Sequence, residues 1–239
     1  LNLHSVAHAV IRLEQLAPAY GADRRRLRVV KLRARQFRGG YHDFAMRTGG
    51  VEVFPRLVAS EHGQAFEPEA VTSGIGELDA LLGGGLDRGA SALIVGPTGT
   101  GKSTIALSYA RATLERGEAA FVITFDEVAG ILRRRAAGVG IDLEPHIASG
   151  LLEIAQVDPA DLSPGELSGR IRHAVEARGA RLVVIDSWSG YVNSMPDEDH
   201  LVLQMHELLT YLNQQGVVTI MVLAQHGMLG TMVSTIDLS

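Results

Sequence analysis

Gly96-Pro97-Thr98-Gly99-Thr100-Gly101-Lys102-Ser103 is the stretch that decides the fold of this chain, because it satisfies the pattern G-x-x-x-x-G-K-[ST] at every fixed position. The glycines let the backbone curl, so that several N–H groups point inward at a phosphate. The helix that is predicted to begin at Gly101 adds the positive end of its dipole. This segment, which we call the cradle loop, therefore predicts a site for nucleotide phosphates.

The side chains of the cradle loop suit the same ligand. Lys102, one of only two lysines in the chain, supplies a mobile positive charge for the β- and γ-phosphates, and Ser103 supplies a hydroxyl ligand for Mg²⁺. The flanks predict the strand-loop-helix context that such a loop requires, with a strand over 91–95 and a helix over 103–110. The predicted nucleotide contacts are Gly96, Thr98, Gly99, Thr100, Gly101, Lys102, Ser103 and Thr104.

Between residues 91 and 225, apolar runs alternate with helical patterns, which is typical of a mainly parallel α/β sheet. Ser163, Pro164 and Glu166 form a capping-box pattern that predicts the start of a helix. We expect strand 120–125 to lie next to the strand that leads into the cradle loop. The further predicted strands are 151–155, 181–186 and 217–223.

Acidic side chains follow two of these strands. Asp186 ends an apolar strand, where an α/β ATPase places the carboxylate that holds Mg²⁺ through water. Asp126 and Glu127 are candidates for the base that activates an attacking water, with first-turn acids at a helix dipole as the alternative. Gln225 follows the last strand and is either a sensor of the γ-phosphate or an ordinary polar strand end.

Residues 1–60 have a different pattern, with four short, partly alternating segments separated by glycines. The segments 8–14, 26–33, 41–46 and 51–54 predict an antiparallel β-meander. A meander of this size does not bury its apolar face alone, so we expect it to dock on the core sheet.

The composition narrows the possible functions. The chain has 22 Lys and Arg against 27 Asp and Glu, a net charge of −5, and no cysteine, which excludes disulfides and thiolate metal sites. Without a run of 18 apolar residues or a signal-peptide pattern, we expect a cytoplasmic protein with no membrane partner. The arginine triples at 24–26 and 133–135 are interpreted as solvated faces, with anion or partner binding as the alternative.

The segment Ser73-Gly-Ile-Gly-Glu-Leu-Asp-Ala-Leu-Leu-Gly-Gly-Gly-Leu86, followed by the cradle loop, resembles the KaiC-like branch of the RecA-like ATPase superfamily. The resemblance implies a RecA-like P-loop core that binds ATP with Mg²⁺ between the subunits of a hexameric ring. It also implies that the acidic pair after the second strand serves hydrolysis. Asp126 and Glu127 occupy that place, and we favour Glu127 because KaiC has two glutamates there.

The resemblance extends to residues 1–60 in an unexpected order. Lys31 and Arg33 are similar to the lysine and arginine on a late strand of a KaiC-type module, which reach the ATP of the adjacent subunit. Residues 1–60 would then be the tail of one module, and 61–239 the core of the next without its last strands. We expect the tail to dock on a core, either its own, as in a circular permutant, or a neighbour's. The chain is accordingly expected to be an excerpt from a longer protein.

The leading functional hypothesis is an ATPase, a phosphoanhydride hydrolase, that works in a circadian or other signalling ring with signalling-protein partners. Self-phosphorylation on serine or threonine is an added possibility, with Ser234, Thr235 and Ser239 as candidate acceptors. A RecA- or RadA-type recombinase is one alternative, but no Lys or Arg occurs between 182 and 239, so no DNA partner is expected. A nucleotide-binding scaffold with negligible turnover is the other alternative.

Overall fold

The computed structural model describes residues 6–18, 21–195 and 200–225. The N-terminal strands are β1 (Ala9–Leu16), β2 (Arg24–Leu32), β3 (His42–Arg47) and β4 (Gly50–Phe54). Each strand pairs antiparallel with the next, in the order β1-β2-β3-β4. A bulge in β2 at Val30 interrupts its register with β1. The predicted antiparallel meander is therefore confirmed.

A short connecting region joins the meander to the core. It contains a 3₁₀ turn (Ala59–Glu61), the strands β5 (Ala70–Val71) and β6 (Leu86–Asp87), which pair with each other, and helix α1 (Gly76–Leu81). The backbone N–H of Ser73 donates to Asp79 Oδ1 at 2.7 Å, so the motif that carries the family resemblance ties the loop before α1 to that helix. Gly85 has φ +134°, and a Cβ there would stand 2.5 Å from the Val71 carbonyl oxygen. At Ser73, Asp79 and Gly85, the motif therefore fixes the local backbone.

The core is a five-stranded parallel sheet flanked by helices, as predicted for a RecA-like fold. Its strand order is β7-β11-β10-β8-β9. In chain order the elements are β7 (Ser91–Gly96), α2 (Lys102–Glu115), β8 (Ala119–Thr124), α3 (Ala129–Gly138), α4 (Glu144–Ala148), β9 (Leu152–Gln156), a 3₁₀ turn (Pro159–Asp161), α5 (Pro164–Arg178), β10 (Ala180–Asp186), α6 (Trp188–Asn193), α7 (Leu201–Gln214) and β11 (Val218–Ala224).

The expectation that strand 120–125 lies beside the cradle-loop strand is wrong. β8 lies between β10 and β9, and the neighbour of β7 is β11. β7 alternates between exposed and half-buried residues and lies at the sheet edge, where it has one neighbour, whereas β8, β10 and β11 are all largely buried and each pairs on both sides. Chain order therefore does not translate into strand order here.

Two apolar clusters cover the two faces of the parallel sheet. Val122, Val184 and Ile220 point to the cluster that includes residues of α2, while Phe121 and Val183 point to the cluster that includes α5 and α7. Adjacent strand residues alternate between these faces, so a shift of one residue in register would exchange the two clusters. This two-sided burial holds the strand ends of β8, β10 and β11 in place.

The meander contacts the core through helix α5. Asp43 accepts a 2.8 Å hydrogen bond from the N–H of Gly165, Arg47 forms an ion pair with Glu166, and Phe54 lies against Gly169. The β1–β4 strands therefore keep their own sheet and pack onto a helix that covers the central sheet. Ser163 caps α5 as predicted, since its Oγ accepts from the N–H of Glu166 at 3.2 Å.

In a complete capping box, the Glu166 side chain would also accept a hydrogen bond from the backbone N–H of Ser163. Here Glu166 binds the docking residue Arg47 instead. The Glu166 carboxylate accepts from Arg47 and from Arg170 Nη2, the latter at 2.8 Å. A buried carboxylate between two guanidinium groups gains charge-assisted hydrogen bonds that a backbone N–H does not offer. The glutamate at this position therefore serves the interface between meander and core.

The meander docks with its polar face inward. Cross-strand pairing places Glu14, Arg26 and Asp43 on the face that carries the docking residues, and Arg26 Nε donates to Glu14 at 3.0 Å. The opposite face, which we call the apolar face, consists of Ile11, Leu13, Leu27, Val29, Phe44, Met46, Val51 and Val53. Its residues on β1 and β4 are exposed.

Within the described residues, no helix combines the length and the apolar character needed to cross a bilayer.

Replacement of Gly169 by leucine tests the docking contact. A Cβ at this position would meet Phe54 Cδ1 at 2.9 Å, so we expect Gly169→Leu to lower the free energy of unfolding by about 1–3 kcal/mol through overpacking. Gly130→Leu is the matched control, because Gly130 also lies in a helix but has open space at its Cβ. Denaturant unfolding measures both variants, and equal stability would contradict the described packing.

Candidate nucleotide-binding site

The cradle loop joins the end of β7 to the start of α2. Gly99 and Gly101 have φ values of +85° and +89°, in the left-handed region that glycine adopts without strain, and a Cβ at either would meet open space. Helix α2 begins at Lys102 with neither a side-chain cap nor an acidic residue in its first turn. Its first N–H groups are therefore available to an anion.

Lys102 lies across the cradle loop. Its Nζ donates to the Pro97 carbonyl oxygen at 2.7 Å, and Thr100 Oγ1 donates to the same oxygen at 2.8 Å. The side chain is largely buried, so its ammonium group has few water partners. A phosphate that entered the loop would meet this cation together with the helix N-terminus, and both favour negative charge.

Asp186 ends β10 beside the first turn of α2, and its carboxylate is hydrogen-bonded by the Ser103 side chain. Burial raises the pKa of Asp186 above its ordinary value, although the Ser103 hydrogen bond and the charge of Arg135 oppose that shift. The negative charges of Glu127 and Asp126 raise the pKa further. The surroundings of Asp186 therefore disfavour its charged form on balance, in spite of Arg135 and Ser103.

This donor set suits Mg²⁺. A hydroxyl and one carboxylate are oxygen ligands of the kind that Mg²⁺ takes, with substrate phosphates and waters completing its shell. Among the residues that the structure describes, no group of three or more His, Cys, Asp or Glu side chains could hold a metal by itself. Ser103 and Asp186 therefore have the chemistry of the predicted magnesium site, and their role as its ligands stays a prediction.

Glu127 lies just after β8 and is held by Arg135 of α3. Arg135 Nη2 donates to Glu127 Oε2 at 2.6 Å, and Arg135 Nε donates to Oε1 at 3.0 Å. The backbone of Glu127 is fixed as well, since its carbonyl oxygen accepts from Thr124 Oγ1 at 3.0 Å. The hydrogen bonds from Arg135 to Glu127 raise the pKa of the guanidinium. The alternative that both acids lie in the helical first turn fails, because α3 begins only at Ala129.

Asp126 is tied to the end of β10. Its Oδ2 accepts a hydrogen bond from Ser187 Oγ, which also accepts from the N–H of Gly190 at 3.3 Å as the N-cap of α6. The two adjacent acids therefore have different partners, and both act electrostatically on Asp186. The structure brings together the three carboxylates that the sequence singled out.

Gln225 also lies beside the cradle loop. Its backbone N–H donates to the Gly96 carbonyl oxygen at 3.1 Å and continues the pairing of β11 with β7. Ser189 Oγ accepts from the N–H of Ala224 at 3.1 Å, which links α6 to the same strand end. A position for Gln225 near a bound phosphate is compatible with the predicted sensor role, which stays a prediction.

Lys31 lies on β2 of the N-terminal sheet, and Arg33 lies in the turn directly after that strand. Lys31 pairs with Val10 across β1 and β2, and the N–H of Arg33 donates to the His8 carbonyl oxygen at 3.0 Å. Their predicted role concerns the nucleotide of a neighbouring copy, so the arrangement within one chain leaves that role a prediction.

Arg135 and Ser187 were missed by sequence reasoning. Arg135 belongs to a triple that was interpreted as a solvated face, but only part of that interpretation holds: Arg133 forms an exposed pair with Glu144, while Arg135 reaches the site. The spacing of eight residues between Glu127 and Arg135 gave no signal, because a turn precedes the helix. For Ser187, its place directly after Asp186 was the available clue.

Comparisons with known proteins agree with this geometry. A sequence model of the family described as "ATPase: KaiC" matches residues 71–234. The chain is 30% identical over 190 residues to the circadian clock protein KaiC2 of Synechocystis sp. (strain ATCC 27184 / PCC 6803 / Kazusa). The aligned segment covers 79% of this chain and 33% of that protein. It is 31% identical over 166 residues to the circadian clock oscillator protein KaiC of Parathermosynechococcus lividus. This second alignment covers 70% of this chain and 30% of that protein.

The similarity to a third relative is confined to a shorter segment. The chain is 33% identical over 131 residues to the circadian clock oscillator protein KaiC of Nostoc sp. (strain PCC 7120 / SAG 25.82 / UTEX 2576), which covers 55% of this chain and 25% of that protein. The chain thus spans between a quarter and a third of the length of these curated relatives. Because the family match over residues 71–234 covers well over half of the sequence, the chain belongs to the KaiC ATPase family.

Proposed function

We propose that the core binds ATP with Mg²⁺ in the cradle loop and hydrolyses it with Glu127 as the base. The observation that supports this most directly is the meeting of the cradle loop, the Ser103–Asp186 pair and the two acids after β8 at one end of the sheet. In parallel α/β sheets, ligands bind outside the carboxyl ends of the strands. The proposed site has that location.

In this proposal each side chain has a separate task. The backbone N–H groups of the cradle loop and the Lys102 ammonium bind the β- and γ-phosphates, which requires Lys102 to exchange the Pro97 carbonyl for a phosphate oxygen. When bound, Mg²⁺ would neutralise charge on the phosphate oxygens. Ser103 and Asp186 would hold that ion, whose charge would offset the part of the Asp186 desolvation that Ser103 and Arg135 do not.

The acidic pair is divided between proton transfer and support of the site. Asp126 is engaged by the Ser187 hydroxyl next to the start of α6, which suits a residue that positions the segment after β10. Glu127 is the longer acid, and it is held by the side chain of Arg135 and by its own backbone. We therefore assign proton abstraction from the attacking water to Glu127.

Substitution of each acid by its amide tests this division. Glu127→Gln cannot accept a proton, so we expect ATP turnover to fall by about 100-fold or more while nucleotide binding persists. Asp126→Asn is the matched control, and its turnover should fall much less because an amide can still accept from Ser187. Phosphate release and calorimetric binding measure the two properties. Full turnover in Glu127→Gln together with loss in Asp126→Asn would reverse the assignment.

Asp186→Asn tests the magnesium site. Burial raises the pKa of Asp186 from 3.8, so its contribution to stability is present below pH 3.8 and lost as the pH rises through the raised pKa. We therefore expect the ligand-free Asp186→Asn variant to be more stable to denaturant than the parent at neutral pH, with the difference shrinking towards pH 3.8.

The same variant should lose the strengthening of ATP binding by Mg²⁺. Asp142→Asn serves as the control, because Asp142 is an exposed acid just before α4 that accepts a hydrogen bond from the N–H of Glu144. Magnesium-dependent binding that survives in Asp186→Asn would remove Asp186 from the metal site.

We also propose that the chain works as part of a larger self-associating ATPase with a signalling role. The relatives that carry the circadian clock name are about three to four times as long as the matched part, so their assembly and partners are carried over only as a proposal. The apolar face of the meander supports self-association, because an exposed apolar patch of this kind is typical of an interaction surface. In this assembly the meander of one copy would bring Lys31 and Arg33 to the nucleotide of the next.

Mixing two inactive variants tests this arrangement. Lys102→Ala removes the chain's own phosphate site but leaves its Lys31, whereas Lys31→Ala retains the phosphate site. If Lys31 serves a neighbour, the mixture should recover ATP turnover that neither variant has alone. Addition of Leu13→Lys to the Lys102→Ala variant should abolish the recovery, and Val202→Lys, at a similarly exposed site on α7, should not. A mixture no more active than its components would contradict the proposal.

The other functional hypotheses gain no specific support. The candidate phosphate acceptors Ser234, Thr235 and Ser239 lie outside the described residues, so self-phosphorylation stays a prediction. The acidic stretch Asp197-Glu198-Asp199, which argues against DNA binding because it would repel phosphates, also lies outside them. A scaffold without turnover is distinguished from an ATPase by the Glu127→Gln comparison above.

A further inference from the structure

Arg135 occupies both carboxylate oxygens of Glu127. The two hydrogen bonds, at 2.6 and 3.0 Å, form the bidentate arrangement in which a guanidinium binds a carboxylate most strongly. A general base must present a free lone pair to its water at hydrogen-bond distance. The guanidinium takes one lone pair on each oxygen, so the paired Glu127 has fewer lone pairs free for a water than an unpaired carboxylate has.

The main chain of Arg135 is fixed by its neighbours on α3. Leu132 and Ala136 are fully buried in the apolar cluster on the α2 face of the sheet, so the helix does not move without disturbing the core. The Arg135 side chain itself is 38% exposed and the Glu127 side chain 26% exposed. Opening of the ion pair therefore requires only rotation of side chains.

Arg135 is also coupled to the metal end of the site. Its positive charge lowers the pKa of Asp186, and Asp186 in turn raises the pKa of Arg135. The guanidinium thus lies within electrostatic reach of the carboxylate that is hydrogen-bonded to Ser103 in the first turn of α2. An anionic group in the cradle loop would attract the same guanidinium.

We propose that Arg135 is a positioning residue that holds Glu127 in a resting state and slows hydrolysis until the triphosphate competes for its guanidinium. This inference rests on the proposed function, because it assigns a regulator to the same site. Asp126 does not replace Glu127 in the resting state, since its carboxylate is engaged by Ser187.

The chain contains a matched control for this proposal. Arg133 lies on the same helix and forms a bidentate pair of the same geometry with Glu144, at 2.7 and 2.5 Å, on an exposed surface. Substitution of Arg133 removes an arginine and an ion pair of equal type without reaching the acids of the site. A difference between the two variants therefore reports the position of Arg135 and not the loss of a surface charge.

The experiment measures kcat and KM for ATP with Mg²⁺, and calorimetric ATP affinity, in the parent chain, Arg135→Ala and Arg133→Ala. We expect kcat to rise about threefold to tenfold in Arg135→Ala, as release of a charge-assisted pair allows. Arg133→Ala should retain the parent kcat. In a Glu127→Gln background, Arg135→Ala should have no effect, which a merely structural role would not produce.

Two further variants keep the test decisive. Arg135→Gln preserves a long polar side chain if the alanine variant unfolds, and it should also be faster than the parent. Arg135→Lys keeps the charge but cannot form the bidentate pair, so its kcat should lie between those of the parent and Arg135→Ala.

The outcomes separate the inference from the function on which it rests. A parent chain that hydrolyses ATP, with Arg135→Ala and Arg135→Gln no faster than the parent, overturns the resting-state role alone. An equal rise in the Glu127→Gln background also overturns it, because the effect would not pass through Glu127. A parent chain that neither binds nor hydrolyses ATP overturns the proposed function itself.

Discussion

The burial of the Asp186 carboxylate is the constraint on which the rest of the site depends. It follows from the fold, because β10 lies in the centre of the parallel sheet and delivers its last residue to a position that is only partly exposed. Desolvation disfavours the charged form there, and the adjacent Asp126 and Glu127 add to that penalty. A bound cation would stabilise the charged forms of these three carboxylates. Within the chain, the Ser103 hydroxyl and the Arg135 charge supply part of the compensation.

The meander illustrates how polar docking can leave an apolar surface open. The face that meets α5 carries Asp43 and Arg47, whose hydrogen bonds and ion pair are made to the first turn of that helix. A carboxylate at a helix N-terminus is also favoured by the helix dipole. Because a two-sided sheet has one outward face, the apolar residues of β1 and β4 on the opposite side remain exposed. The sheet is thus suited to a second contact beyond the one that it makes with its own core.

Local features of this fold could be predicted from the sequence because they depend on neighbouring residues. The cradle loop has its glycines where left-handed φ values occur, Ser163 caps α5, and the four strands of the meander lie where alternation indicates them. Long-range features could not be predicted in the same way. The order of strands depends on which of several buried strands pair with one another, and β8, β10 and β11 are too similarly buried for the sequence to separate them. The pairing of Arg135 with Glu127 and the capture of Glu166 by Arg47 depend on packing angles that spacing does not encode.

The central claim is that the cradle loop and Lys102 bind a magnesium nucleotide. Isothermal titration calorimetry of the parent chain with ATP and Mg²⁺, beside Lys102→Ala at the same concentrations, tests it most directly. The account predicts saturable heat with one nucleotide per chain for the parent and little or none for the variant. Absence of heat in the parent at millimolar nucleotide, or equal binding by Lys102→Ala, would contradict it.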